Sequence, residues 1–115
     1  MLNVTFTAKG DTLSLILNGH AGQAEHGHDI VCSAASILAY TVAHIVKAEE
    51  GEGSFKSKPL IVLNSGSAII SCEPKIEKYN EIFHAFYVAE VGYTLLAHNY
   101  PLFVDFTPFG KPKEA

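Results

Sequence analysis

Residues 19–32 read GHAGQAEHGHDIVC and bring together most of the side chains that could do chemistry in this chain. A cysteine thiolate is a nucleophile, and a histidine imidazole can take up its proton and deliver it elsewhere. Histidine and cysteine are also the ligands that zinc prefers. The stretch therefore predicts a thiol nucleophile with its base, a metal site, or a histidine-rich loop that leads into a helix.

Cys32 falls near the third position of a predicted helix if Asp29 is the N-cap. An Asp at the N-cap accepts a hydrogen bond from the backbone N–H of Val31 or Cys32. The free N–H groups and the positive end of the helix also stabilise a thiolate. These N–H groups, that of Cys32 included, are candidate donors for the oxyanion of an acyl-transfer reaction.

His20 lies at the end of a predicted strand, and eleven residues separate it from Cys32. Gly22 and Gly27 allow this segment to double back on itself. If the imidazole comes within hydrogen-bond reach of the thiol, it can accept the thiol proton and later protonate a leaving amine. Segment 21–28 has no strong apolar anchor, so we expect it to open cheaply and to hold His20 and Cys32 apart until substrate orders it.

Two other interpretations stay open at this point. Cysteine is among the most buried residue types, so Cys32 could be a packing residue, as we expect for Cys72, which ends a strand without a nearby histidine. His20, His26, His28 and Cys32 could hold zinc, although the pattern H-x5-H-x-H-x3-C matches no standard zinc spacing.

Length and composition predict a single domain over residues 1–115. The net charge of −4 argues against direct binding of nucleic acid. The N-terminus lacks the features of a signal peptide, so we expect a cytoplasmic protein. The two cysteines are forty residues apart, which gives no disulfide framework.

Residues 30–46 contain no Asp, Glu, Lys or Arg, yet seventeen residues are only the lower limit for a membrane span. Polar side chains recur at helical spacing along this segment and directly after it, at Ser33, Ser36, Tyr40, His44 and Lys47. The opposite face is apolar and predicts a buried core helix with no membrane partner; it comprises Ile30, Ala34, Ile37, Leu38, Thr41 and Ile45.

The remaining pattern predicts strands and one further helix. Apolar alternation on both sides of Gly10-Asp11 predicts a hairpin, and 60–72 predicts a second hairpin around Asn64-Ser65-Gly66. A long helix follows Pro74, which we expect near its first turn, and ends at Pro101. LFVDF predicts a closing strand before a solvated tail. The order ββαββαβ predicts an α+β fold with a mostly antiparallel sheet and two helices packed on it.

GHAG, AEHGHD and DIVCSAAS at the start of a helix together resemble the Prp family of ribosomal-processing cysteine proteases. The likeness continues to the helix that stops at NYP and leads into LFVDF. It implies a bacterial, cytoplasmic, homodimeric peptidase without a cofactor. Such an enzyme removes the N-terminal extension of a large-subunit ribosomal protein, the twenty-seventh.

Residue by residue, the resemblance implies that Cys32 is the nucleophile, His20 the general base and Asp29 a supporting acid. Gly22 and Gly27 correspond to glycines of a loop that moves aside for substrate. The sequence departs from the family pattern at His26 and His28, where an aromatic and a variable polar residue are usual. A non-catalytic, ribosome-associated binding module and a zinc-binding protein are the alternative functions.

Overall fold

The computed structural model describes residues 1–22, 24 and 29–110. Its elements follow the order that the sequence predicts: β1 (Leu2–Lys9), β2 (Thr12–Asn18), α1 (Ile30–Gly51), β3 (Leu60–Asn64), β4 (Ser67–Cys72), α2 (Tyr79–Asn99) and β5 (Val104–Thr107). A short 3-10 turn, Ile76–Lys78, leads into α2. The ββαββαβ prediction is confirmed.

The five strands form one sheet in the order β3-β4-β2-β1-β5. All pairings are antiparallel except that of β1 with β5, which is parallel. Leu15 lies between Phe6 on β1 and Ile70 on β4, and all three side chains are buried. The alternation in the sequence thus gives the sheet one apolar face, and the two helices cover it.

Helix α1 buries a different face from the one predicted. Ile30 and Ile37 are 57% and 61% exposed, and Thr41 is exposed as well. The buried residues are Val31, Ala35, Ala39, Val42, Ala43 and Val46. Both stripes are apolar, and the alanine-rich stripe is the one that packs against α2 and β4.

Among the described residues, α1 is the helix whose length and apolar composition would suffice to cross a membrane. One third of its most apolar window is buried against the rest of the protein.

Helix α2 begins later than expected. Pro74 lies outside the helix, in an isolated bridge with Phe55, and α2 starts at Tyr79 after the 3-10 turn. Its end at Asn99, before Pro101, is as predicted. Gly92 lies against α1, where a Cβ built on it would be 2.8 Å from Leu38 Cδ2.

The predicted solvated tail, which begins at Thr107, is partly packed on the protein instead. Thr107 is buried, and the ring of Phe109 lies 5.1 Å from those of Phe6 and Phe83, measured between centroids. The Phe109 N–H also donates to Glu90 Oε2 at 2.6 Å. These contacts tie the chain after β5 to α2 and to the core.

Candidate active site

A groove of about 600 Å³ opens at the end of the sheet where β2 finishes and α1 begins. Asn18, the last residue of β2, pairs with Ser67, the first residue of β4. This register brings the β3–β4 turn beside the segment that follows β2. His20 and Cys32 both line the groove, so the fold brings together two residues that the sequence separates by a loop.

Asp29 is the N-cap of α1, as predicted. Its Oδ1 atom accepts hydrogen bonds from the N–H groups of Val31 and Cys32, each at 3.0 Å. The side chain is 5% exposed. The cap fixes the first turn of the helix and therefore the position from which the Cys32 side chain projects into the groove.

The backbone N–H of Cys32, the candidate oxyanion donor, already has an acceptor. The Cys32 N–H donates to the Asp29 carboxylate, and the Ser33 N–H donates to the Asp29 carbonyl oxygen at 3.0 Å. Capping thus uses the N–H groups that the sequence offered to a substrate oxygen. The Cys32 N–H is a structural donor in this conformation.

A different backbone group faces the cysteine sulfur. The N–H of Ala21 donates to Cys32 Sγ at 3.3 Å, and Cys32 is partly buried. This hydrogen bond holds the Cys32 sulfur beside the main chain of the segment that follows β2. No side-chain pattern could have predicted this contact, because it comes from the main chain of the residue after His20.

The His20 side chain is exposed and lies against the β3–β4 turn. Gly19 turns the chain towards this position with φ +93°, and its N–H donates to the carbonyl oxygen of Gly66 at 2.9 Å. A Cβ at Gly19 would lie 2.5 Å from the Met1 carbonyl oxygen, so a glycine is required there. Among the hydrogen bonds between described residues, none joins the His20 ring to Cys32 Sγ.

Gly22 is exposed with φ +72°, and no heavy atom lies within 4 Å of where its Cβ would be. Gly27, His26 and His28 lie outside the described residues. Within residues 1–22, 24 and 29–110 there is no group of three or more His, Cys, Asp or Glu side chains able to hold a metal ion.

Cys72 has a very different environment from Cys32. It ends β4 in the core, is 4% exposed, and pairs with Leu13. Burial raises the pKa of its thiol to about 12. A buried, protonated thiol is a poor nucleophile, which agrees with the packing role expected for Cys72.

The groove continues beyond the cysteine along the first turns of α1. Ser36 and Tyr40 line it on the helix side, and Leu63 and Ser65 line it on the side of the β3–β4 hairpin. Such a cleft suits an extended peptide, with polar atoms for its backbone and apolar surface for its side chains. A peptide lying in this cleft would pass beside Cys32.

Comparison with known proteins places these features in a family. The family model for cysteine protease Prp matches residues 1–104. A curated relative, the ribosomal processing cysteine protease Prp of Staphylococcus aureus, is 38% identical over 39 residues. That alignment spans 34% of this chain and 37% of the relative, so it covers about a third of each protein.

Solved structures with the same fold cover almost the whole chain. The ribosomal processing protease Prp from S. aureus, with a covalently linked product peptide, gives a TM-score of 0.70 at 20% identity over 94% of this chain and 99% of its own. A Streptococcus mutans protein gives 0.65 at 29% identity over 95% and 94%. The S. aureus protein with a substrate peptide gives 0.65 at 19% identity over 94% and 99%.

Proposed function

This chain belongs to the cysteine protease Prp family, and we propose that it cleaves a peptide bond with Cys32 as nucleophile and His20 as general base. One observation carries the proposal. Cys32 Sγ projects from the first turn of α1 into a groove, where the Ala21 N–H is aimed at it and His20 lines the same cavity.

In the first half of the reaction, the Cys32 thiolate attacks the carbonyl carbon of the scissile bond, and His20 carries the proton that the thiol has lost. The tetrahedral intermediate collapses with rupture of the C–N bond. The imidazolium of His20 gives its proton to the departing amine. The products of this step are a free C-terminal fragment and a thioester on Cys32.

In the second half, His20 takes a proton from water as the oxygen attacks the thioester carbonyl. The C–S bond breaks, the N-terminal fragment leaves as a carboxylic acid, and the thiolate is restored. The chemistry of this cycle needs no cofactor.

The backbone N–H of Ala21 supports both halves. It donates to sulfur in the resting protein at 3.3 Å, so it lies beside the reacting atom before substrate binds. When sulfur bonds to the carbonyl carbon of the substrate, the negative charge moves from sulfur to the oxygen on that carbon. The Ala21 N–H lies beside the sulfur, close to where that charge develops, and we assign it a role as oxyanion donor.

The substrate that we propose is the N-terminal extension of a large-subunit ribosomal protein, the twenty-seventh. Support comes from the curated relative, whose name is ribosomal processing cysteine protease, and from the groove, which suits an extended segment. A flexible extension also enters a narrow cleft more readily than a folded domain does.

We further propose that the protein acts in the cytoplasm as a homodimer. The helix faces that point away from the sheet expose several large apolar side chains, which a second copy would cover. They are Ile37, Val88, Val91 and Leu95, with exposures of 61%, 57%, 42% and 59%.

The experiment is incubation with the extended ribosomal protein and with the same protein lacking the extension, read by mass spectrometry. We expect a single cut that releases the extension, with no cut in the shortened protein. Absence of cleavage, together with binding of the extension, would favour the binding module instead.

A further inference from the structure

The β3–β4 turn contributes a glycine to the surroundings of His20. Gly66 lies in this turn with φ +73°. A Cβ built on Gly66 would lie 2.7 Å from His20 Nε2, 3.2 Å from Cε1 and 3.4 Å from Cδ2. The imidazole therefore occupies the space into which a side chain at position 66 would project.

We propose that Gly66 is a positioning residue for catalysis, because its missing side chain leaves the space in which the His20 imidazole lies at the edge of the groove. The inference rests on the proposed role of His20 as general base. It assigns a function to a turn that is distant in sequence from both His20 and Cys32.

Two contacts hold this arrangement together. The carbonyl oxygen of Gly66 accepts the N–H of Gly19, the residue before His20, at 2.9 Å. The pairing of Asn18 with Ser67 continues directly into this bond. The turn is therefore fixed to the backbone beside His20. The position of the His20 ring then depends on the size of the side chain at position 66.

The consequence of adding a side chain differs between Gly66 and Gly19. At Gly19 the Cβ would meet the backbone carbonyl of Met1, the residue directly before β1. At Gly66 it would meet the imidazole of His20, the far end of an exposed side chain that can change rotamer. A substitution at Gly66 should therefore displace the His20 ring while the sheet stays folded.

Gly10 supplies a matched control. It lies in the β1–β2 turn with φ +60°, and no heavy atom lies within 4 Å of its Cβ position. The same substitution at Gly10 and Gly66 therefore meets a similar backbone penalty, and only the second meets His20. Asn tolerates positive φ better than other side chains, so Gly66→Asn and Gly10→Asn keep that penalty small, with Gly66→Ala and Gly10→Ala as a second pair.

The kinetic test measures kcat and KM for cleavage of the extension peptide. Misplacing a catalytic group by about 1 Å can cost about 100-fold in rate. We expect Gly66→Asn and Gly66→Ala to lower kcat by at least about tenfold while KM changes far less, and the Gly10 variants to keep the parent kcat. Equal kcat values in the Gly66 and Gly10 variants, or a loss confined to KM, would overturn the proposal.

A spectroscopic test needs no activity and so separates this inference from the proposed function. In the parent protein we expect nuclear Overhauser effects between the His20 ring protons and the Gly66 α-protons. The ring signals of His20 should shift in Gly66→Ala and stay in place in Gly10→Ala. A parent protein without these effects, or ring signals that are the same in both variants, would refute the placement even if the peptide is cleaved.

Discussion

The backbone N–H of Ala21 points at Cys32 Sγ across 3.3 Å. This contact joins the segment that carries the proposed base directly to the proposed nucleophile. Ala21 is 4% exposed, so its peptide group is held against the body of the protein rather than in solvent. The chain after β2 therefore contributes a main-chain donor as well as the His20 side chain to the site.

Replacing the Ala21 peptide N–H by an ester oxygen, with lactic acid in place of alanine, tests the donor itself. Loss of one oxyanion donor typically costs about 100- to 1,000-fold in kcat, and we expect a fall towards that range. Ala21→Gly keeps the N–H and is the control. If the ester protein cleaves at the rate of Ala21→Gly, the donor role is wrong.

Substitutions of Asp29 separate capping from catalysis. Asp29→Ala should lower the free energy of unfolding by about 0.5–2 kcal/mol, because the N–H groups of Val31 and Cys32 lose their acceptor. Asp29→Asn retains the acceptor oxygen and most of that stability. If the carboxylate supports the reaction, Asp29→Asn loses turnover while its denaturation curve stays close to that of the parent. Full turnover in Asp29→Asn would leave Asp29 as a cap alone.

Gly22 follows Ala21 and has φ +72°, which a β-branched residue adopts only under strain. We expect Gly22→Val to relieve the strain by shifting the neighbouring peptide, which carries the Ala21 donor. This shift should reduce kcat/KM by about tenfold or more. The corresponding increase in the activation barrier lies within the usual range of backbone strain energies. Gly110→Val is the matched control, since Gly110 has φ +75° and open space around its Cβ position. Equal activity in the two variants would argue against a role for this backbone.

Stability at alkaline pH reports on Cys72. Burial raises the pKa of its thiol from 9.0 in the unfolded chain to about 12 in the folded protein. The folded state therefore binds a proton that the unfolded state releases above pH 9.0, so stability falls as pH rises from 9.0 towards 12. The slope from this group approaches about 1.4 kcal/mol per pH unit.

Urea denaturation across this pH range should show a shallower decline for Cys72→Ala than for the parent protein. Tyr93 contributes to the decline in both proteins, because burial also raises the pKa of its hydroxyl. Identical slopes would mean that the Cys72 thiol is not protected from solvent.

The order of the elements and the cap of α1 could be predicted because they depend on local rules. Alternation along β1 and β2 specifies strands, and Asp29 followed by an apolar helical segment specifies a helix start. The face of α1 that becomes buried could not be predicted in this way. Its exposed stripe, which includes Ile37, is as apolar as its buried stripe. Which of the two becomes buried depends on how the helix packs on the rest of the protein.

The two parts of the site that the sequence did not predict both depend on tertiary register. The Ala21 N–H is a backbone group, so no residue type marks it. Gly66 is recognisable in the sequence as a turn residue, and its contact with His20 follows only once β2 and β4 pair from Asn18 to Ser67. The register of that pairing was the missing information, because a shift by one residue would move the turn away from His20.

The most direct test of Cys32 as nucleophile is detection of the acyl-enzyme. The protein is mixed with the extension peptide, quenched in acid, and examined by intact-mass and peptide-mapping mass spectrometry. We predict a mass increase equal to that of the N-terminal fragment less one water, carried by the peptide that contains Cys32, present in Cys72→Ala and absent in Cys32→Ala along with all cleavage. An adduct at another residue, or cleavage that persists in Cys32→Ala, would contradict the account.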